Sequence, residues 1–418
     1  MKFTNSTIGE ICVEIKTGKT PPTRNPEYFG DEINWYTPGD LDKEKYLGKS
    51  QRGISKKALD EKKAILFKAN TVLLGCIGDI GKIGITTTAS SSNQQITGLL
   101  PNESKITAEF LYYWLKQNRN LLRKSSTNAI VPILNNRQLA AIKISMPERK
   151  TDQIRIANIL GKAESLIDQR KESLRLLDEF LKSTFLGMFG DPEKKTKRFP
   201  VLELEKLCSE IVDCPHSTPI KSDVVTNYPC IRTSEIENGY INWTTMQYLD
   251  ESEYLKRIRR LTPREGDIVY GREGSYGDAI RIPSGHKFSL GQRTMLFRPD
   301  YSKCNSAFLW AMVRSDFVYR QAKRKNSGST VGHVNVKDIR KFKVLAPPLY
   351  LQDRFANMVK KIEILKENFQ TSLEQLERLY NSLSQRAFSG HLISNEHNLD
   401  KVVKTGLKMQ DHAKTYRE

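Results

Sequence analysis

The sequence predicts an α+β protein in which two similar domains alternate with two long helices. The helices are expected to pair as an antiparallel coiled coil, giving a pseudo-twofold internal repeat. Three observations predict this. A strand followed by three spaced glycines occurs twice, as Gly75, Gly78 and Gly81 and as Gly271, Gly274 and Gly277. A proline and then a glutamine open a helical pattern twice, at Pro147 and Gln153 and at Pro347 and Gln352. Each pattern then carries a heptad seam.

The first glycine motif, "NTVLLGCIGDIGKIGI" from Asn70 to Ile85, comes close to a phosphate-cradling loop. The chemistry of such a loop needs G-x-x-x-x-G-K-[ST] and a following helix. Here five residues separate Gly75 from Gly81, Lys82 is followed by Ile83, and the next residues read as strand. The second copy, "GDIVYGREGSYGDAIRI", keeps the glycines and replaces the lysine by Asp278. A turn needs only the glycines, so a hairpin with φ > 0 positions is expected in both places.

The duplication extends along the chain. Cys12 and Ile15 match Cys208 and Ile211; Gln94 and Pro101 match Gln292 and Pro299; Phe110-Leu111 matches Phe308-Leu309. Short alternating strands with Gly and Pro turns predict a mixed domain in each copy. In the first helix Ile156, Leu160, Ala163, Ile167, Arg170, Leu174, Leu177, Leu181, Thr184 and Met188 step by four and three, and eight of the ten are apolar. In the second, Met358, Ile362, Leu365, Phe369, Ser372, Leu376, Leu379 and Leu383 do so, seven of eight apolar. Neither helix can bury its seam alone, and matched seams imply that the two pair. The expected divisions are a first domain at 1–150, a central helix at 151–190, a second domain at 191–350, a distal helix at 351–390 and a polar tail at 391–418.

The chain has 418 residues, with 67 Lys plus Arg against 48 Asp plus Glu and a net charge of +19. That excess favours a polyanionic partner, nucleic acid before membrane. No secretory signal or apolar run of membrane-spanning length is visible, and six cysteines without a C-x-x-C pair indicate a reducing, cytoplasmic setting. Cys214 and His216 lack further ligands at metal spacing, so no metal site is expected. Two basic heads on a rigid spacer suit a bipartite DNA site. Helices of ~35 residues, ~50 Å long, would bound the head separation at about fifteen base pairs.

The order of variable domain, helix, variable domain, helix resembles the specificity subunit of type I restriction–modification systems. The matching features are the glycine motifs, the glutamines of "NQQI" and "GQRT", the helix entries at Gln153 and Gln352, and the helix ends "MFGDP" and "AFSGH". The resemblance implies two target-recognition domains, each reading half of a split site on double-stranded DNA. It also implies helices that dock two methyltransferase subunits, with restriction and translocase subunits joining that core. The subunit itself is non-catalytic in this family. S-adenosylmethionine, ATP and Mg are then expected on the partners, with no cofactor in this chain.

The motifs of this chain agree. The nearest string to an adenine-methyltransferase [DNS]-P-P-[YFW] is "APPLY" at Ala346–Tyr350, which lacks the polar first and aromatic fourth residues. The nuclease-like strings at Glu61-Lys62-Lys63 and Glu193-Lys194-Lys195 lack an acidic partner at the required spacing. A stand-alone methyltransferase or nuclease with an unrecognised active site is the alternative, and a protein-binding coiled-coil scaffold is a third reading. For base contacts the residue types favour Arg272, Tyr276, Gln292 and Arg293, with Lys82, Asn93, Gln94 and Gln95 as counterparts. For phosphates they favour a basic loop at Lys323, Arg324 and Lys325, with Arg123 and Lys124 opposite.

Overall fold

A computed structural model describes residues 1–127, 130–191, 198–273, 276–325 and 333–392. It divides into two units: residues 1–169 with 373 onward, and residues 170–372. Each unit therefore holds one mixed domain, the first half of the helix that follows it, and a part of the other long helix.

In the first unit, strands Cys12–Thr17, Ile96–Pro101, Val72–Gly75 and Ile83–Thr86 lie side by side in that order. The second unit repeats the order with Cys208–Asp213, Thr294–Pro299, Ile268–Gly271 and Ala279–Arg281. The register repeats too. Cys12 faces Pro101 and Cys208 faces Pro299, and a bulge follows each cysteine, between Cys12 and Glu14 and between Cys208 and Glu210. Val72–Gly75 and Ile268–Gly271 are buried along their whole length, which explains their unbroken apolar runs. A two-stranded ladder closes each domain, Phe3–Thr7 with Lys143–Pro147 and Val201–Glu203 with Lys343–Leu345.

The glycine motif is a hairpin turn. Gly78 and Gly81 have φ of 74° and 98°, and Gly277 has φ of 93°; Gly274 lies outside the described residues. A Cβ on Gly277 would stand 2.4 Å from the Tyr319 ring, so this turn needs glycine twice over. Lys82 pairs with Asp79 at 2.8 Å, and the chain continues as the strand Ile83–Thr86.

The two long helices are Lys150–Phe189 and Leu349–Phe388, forty residues each. One buried glutamine fixes each helix start. Gln153 accepts from the Thr107 amide (3.1 Å) and donates to the carbonyls of Lys105 (2.9 Å) and Pro147 (3.0 Å). Gln352 repeats this with Asn305 (2.8 Å), Lys303 (3.1 Å) and Pro347 (2.7 Å). About three turns further on, eleven residues after each glutamine (164 − 153 and 363 − 352), a carboxylate ties each helix to its own domain. Glu164 takes the Tyr113 hydroxyl (2.9 Å) and the Lys116 ammonium, and Glu363 takes Arg281 through both oxygens (2.7 and 2.6 Å).

The antiparallel pairing is visible inside each unit. Phe388, at the end of the distal helix, packs edge-on against Phe110 (5.6 Å). Phe189, at the end of the central helix, packs edge-on against Phe308 (4.8 Å). Arg170 covers the Phe369 ring at 4.3 Å, and Asp178 pairs with Lys366 at 2.7 Å.

The seam of the central helix is as expected through Leu181: Ile156, Leu160, Ala163, Ile167 and Leu181 are buried and Leu174 and Leu177 half-buried. Beyond it Phe185 and Phe189 are the buried pair, with Thr184 and Met188 only half-buried beside them. The distal seam differs by one residue in every second step. Leu365 is 40% exposed and does not belong to it. The buried or half-buried row is Phe355, Val359, Ile362, Lys366, Phe369, Leu373, Leu376, Tyr380, Leu383 and Ala387. Met358, Ser372 and Leu379 sit half-buried on its flank. By apolar count the two rows tie: from 358 to 383 each is apolar at seven of eight positions, interrupted by Ser372 in the expected row and by Lys366 in the observed one. Lys366 occupies a seam position with its stem packed and its ammonium 3.6 Å from the centre of the Tyr240 ring.

Candidate nucleic-acid interface

In each unit one turn links a short strand, Ser91–Ser92 or Ser289–Leu290, to the strand Ile96–Pro101 or Thr294–Pro299. It carries Asn93-Gln94-Gln95 in the first unit and Gly291-Gln292-Arg293 in the second. The frame of the turn is the same in both. The Cys76 amide donates to the Gln95 carbonyl (2.8 Å), and the Arg272 amide donates to the Arg293 carbonyl (2.9 Å). The Gln292 amide donates to the His216 carbonyl (2.9 Å) and the Thr218 hydroxyl (3.0 Å); Gln94 meets the Thr20 hydroxyl in the first unit. These glutamines hold the loop that follows the first strand of each sheet. Asn93 is buried, and its amide donates to the Gln95 side chain (3.0 Å), bracing the turn.

In the second unit that loop is pinned further. The Arg257 guanidinium, 3% exposed, donates to the carbonyls of Ser217 (2.8 Å), Pro215 (3.3 Å) and Leu290 (3.1 Å). Cys214 belongs to an apolar core cluster, whereas His216 is exposed and lies 3.4 Å from Asp213. The two do not form a ligand pair.

The side chains on this common frame differ sharply. In the second unit Glu273 is the hub of an ionic network. It lies 3.3 Å from Arg272, 2.9 Å from His333 and 3.1 Å from Arg293. Asp213 closes the far side, 3.2 Å from Arg272. In the first unit the residues on the equivalent bridge are Ile77 and Ile133, where the second has Glu273 and His333. Ile130, Val131 and Ile133 stand exposed beside it.

Arg272 is only 6% exposed, with both faces in ion pairs, so it is not available to a base edge; it supports the network. Tyr276 stacks on Tyr319, ring planes 9° apart and 5.8 Å between centres, and braces the hairpin. Arg293 is different. Its side chain is 56% exposed and its φ is 67°. Gln95, the residue at the same place in the first unit, is not among the positive-φ residues.

The basic residues lie on helices, not on a loop as the sequence suggested. Lys323, Arg324 and Lys325 end the helix Asp316–Lys325, and Arg123 and Lys124 end the helix Arg119–Lys124. Cations are favoured in a last helical turn, where carbonyls are unpaired. All five are exposed. Arg123 also donates to the Ile80 carbonyl (3.3 Å), tying its helix to the glycine hairpin. Asn128 and Asn326–Gly328, the remaining residues of those two segments, lie outside the described residues, as do Glu193-Lys194-Lys195 and the tail from residue 393.

Glu273, His333 and the anchoring Arg257 were not apparent from residue type. The signal for the first two was the repeat itself: aligning the copies at the glycine hairpin sets Glu273 against Ile77. No described helix is long and apolar enough to cross a membrane.

Known proteins share this construction. The chain is 24% identical over 403 residues to the type I restriction enzyme MjaIX specificity subunit of Methanocaldococcus jannaschii, covering 91% of each. It is 23% identical over 409 residues to the MjaVIII specificity subunit of the same organism, covering 92% of each. The crystal structure of a type I restriction-modification S subunit from M. genitalium shares the fold, with a TM-score of 0.54, 16% identity, and coverage of 93% of this chain and 96% of that one. A model of the type I restriction modification DNA specificity domain matches residues 1–176 and again 223–378, so the chain belongs to that family, as a type I specificity subunit with two such domains.

Proposed function

We propose that the two units each read one half of a bipartite site on double-stranded DNA, and that the long helices dock two methyltransferase subunits, one per repeat. The observation that carries this reading is one frame bearing two chemistries. The turn, the strand register and the loop anchors repeat. The exposed groups on them are apolar and amide in one unit and ionic in the other. Two half-sites of different sequence require different groups on a shared frame.

The chain itself acts without catalysis in this reading. Adenine methylation with S-adenosylmethionine belongs to the docked subunits, and ATP- and Mg-dependent restriction to translocase subunits that join them. Leu176 and Phe180 on the central helix and Ile364 and Leu365 on the distal helix are exposed, which offers apolar surface for docking. The basic helix ends suit phosphates.

Binding of the full-length chain, alone and with its methyltransferase subunits, to random and methylation-mapped DNA across a salt series tests the reading. Affinity is expected to fall steeply with salt, each phosphate contact adding about 0.9 to the slope. Methylation is expected only with partners present. Methyl transfer by the chain alone would overturn the division of labour, and salt-insensitive binding would overturn the DNA reading.

A further inference from the structure

We infer that Arg293 reads a guanine in the half-site of the second unit, and that Glu273 is the positioning residue that aims it. This rests on the reading of the second unit as a DNA-recognition domain and names the base and the residues that select it. An arginine selects guanine when its two terminal nitrogens meet O6 and N7 together, which demands a guanidinium held in one plane. A lone exposed arginine is not so held, because its long stem is free.

Arg293 is held at three points. Its Nε lies 3.1 Å from the Glu273 carboxylate. That contact engages Nε, not the two terminal nitrogens, on a side chain that is 56% exposed. Its backbone is fixed in the left-handed region, φ 67°, by the Arg272 amide on its carbonyl and by the strand that starts at Thr294. Left-handed backbone is uncommon for arginine, and the fixed turn around it over-determines the conformation. Glu273 is itself fixed, by Arg272 and by His333 at 2.9 Å, with only 21% of its side chain exposed.

The first unit keeps the backbone frame but has none of the side chains of this device. Gln95, Ile77 and Ile133 stand where Arg293, Glu273 and His333 stand in the second. The guanine requirement therefore belongs to one half-site only.

The test uses the full-length chain bound to its methyltransferase subunits, with base preference read by sequencing the sites methylated in a randomised DNA library. Two substitutions are compared with the unaltered complex. Arg293→Lys keeps the charge and removes the fork; Glu273→Gln keeps the shape and removes the carboxylate that orients it. Each is expected to reduce discrimination for guanine at one position of one half-site, by about 10- to 100-fold for Arg293→Lys and less for Glu273→Gln. The other half-site and the salt slope should be unchanged. Overall affinity falling equally on all sequences, or an affected base other than guanine, would overturn the inference. So would a preference unmoved by either substitution. A complete absence of sequence preference in the unaltered complex would instead defeat the DNA-recognition reading on which the inference rests.

Discussion

Arg272 and Arg293 belong to one ionic network and have opposite expected roles. Arg272 pairs with Asp213 and Glu273; Glu273 keeps Arg293 and His333, so Arg272→Ala takes the guanidinium chiefly from Asp213, whose side chain is only 15% exposed. Removing one partner of such a pair costs about 3–5 kcal/mol. Thermal or denaturant unfolding of the second unit should register that loss. Arg324 is a third case. On an exposed last turn, Arg324→Ala should leave stability unchanged and reduce the salt slope of DNA binding by about one, alike for all sequences. Cysteines give a separate check at this scale. Burial disfavours the thiolate, so the thiols of Cys76 and Cys230 are pushed up to about 11 and those of Cys12 and Cys208 to about 12. These four thiols stay protonated below pH 9, and alkylation by iodoacetamide should be slow until the protein is unfolded. Residue type alone grouped Arg272 with Arg293, because both follow or face the glycine hairpin. Burial separates them, and burial depends on Asp213 and His333, which are distant in sequence.

The long helices show how much of an element periodicity can and cannot convey. Their existence and the first seam were legible, because ten positions at alternating spacing leave little freedom. The second seam was misplaced at every other step because two adjacent rows are equally apolar, one interrupted by Ser372 and the other by Lys366. The correct row was nonetheless encoded in the repeat. Gln153 and Gln352 differ by 199 (352 − 153), and adding 199 to Ile156, Leu160, Ala163 and Ile167 gives Phe355, Val359, Ile362 and Lys366. The glutamines carry that register for a physical reason: a buried amide with three partners cannot slip by one residue without orphaning all three. The corrected seam makes a paired prediction. Leu373→Ala, at a position 8% exposed, should cost about 2–4 kcal/mol. Leu365→Ala, on the outer face, should stay within about 0.5 kcal/mol in the isolated chain. Chemical denaturation of the two variants compares them directly, and equal losses would return Leu365 to the seam.

At the scale of the whole chain, sequence order and structural unit do not coincide. The glycine hairpins, the helix entries and the helix ends were all visible as repeated motifs. What their repetition does was not, because it requires contacts between residues 278 (388 − 110) and 119 (308 − 189) positions apart. The aromatic residue at each helix end, Phe189 or Phe388, packs on the domain of the other repeat, against Phe308 or Phe110. The first unit therefore depends on the last stretch of the chain. Tyr380, Leu383, Ala387, Phe388 and Leu392 all pack on its core, and the Ser384 hydroxyl donates to Gln117 at 2.7 Å. A chain ending at Ser372 keeps residues 170–372 whole and takes all of this from the first unit. At about 2 kcal/mol for each lost apolar side chain, the deficit reaches about 10 kcal/mol. That is the size of an entire domain's stability. Hydrogen exchange on the shortened chain should therefore show rapid exchange at the amides of Val72–Gly75 and retained protection at Ile268–Gly271. Equal protection of both strands would mean that the first domain stands without the end of the distal helix, and the interlocking of the two repeats would not be what holds it.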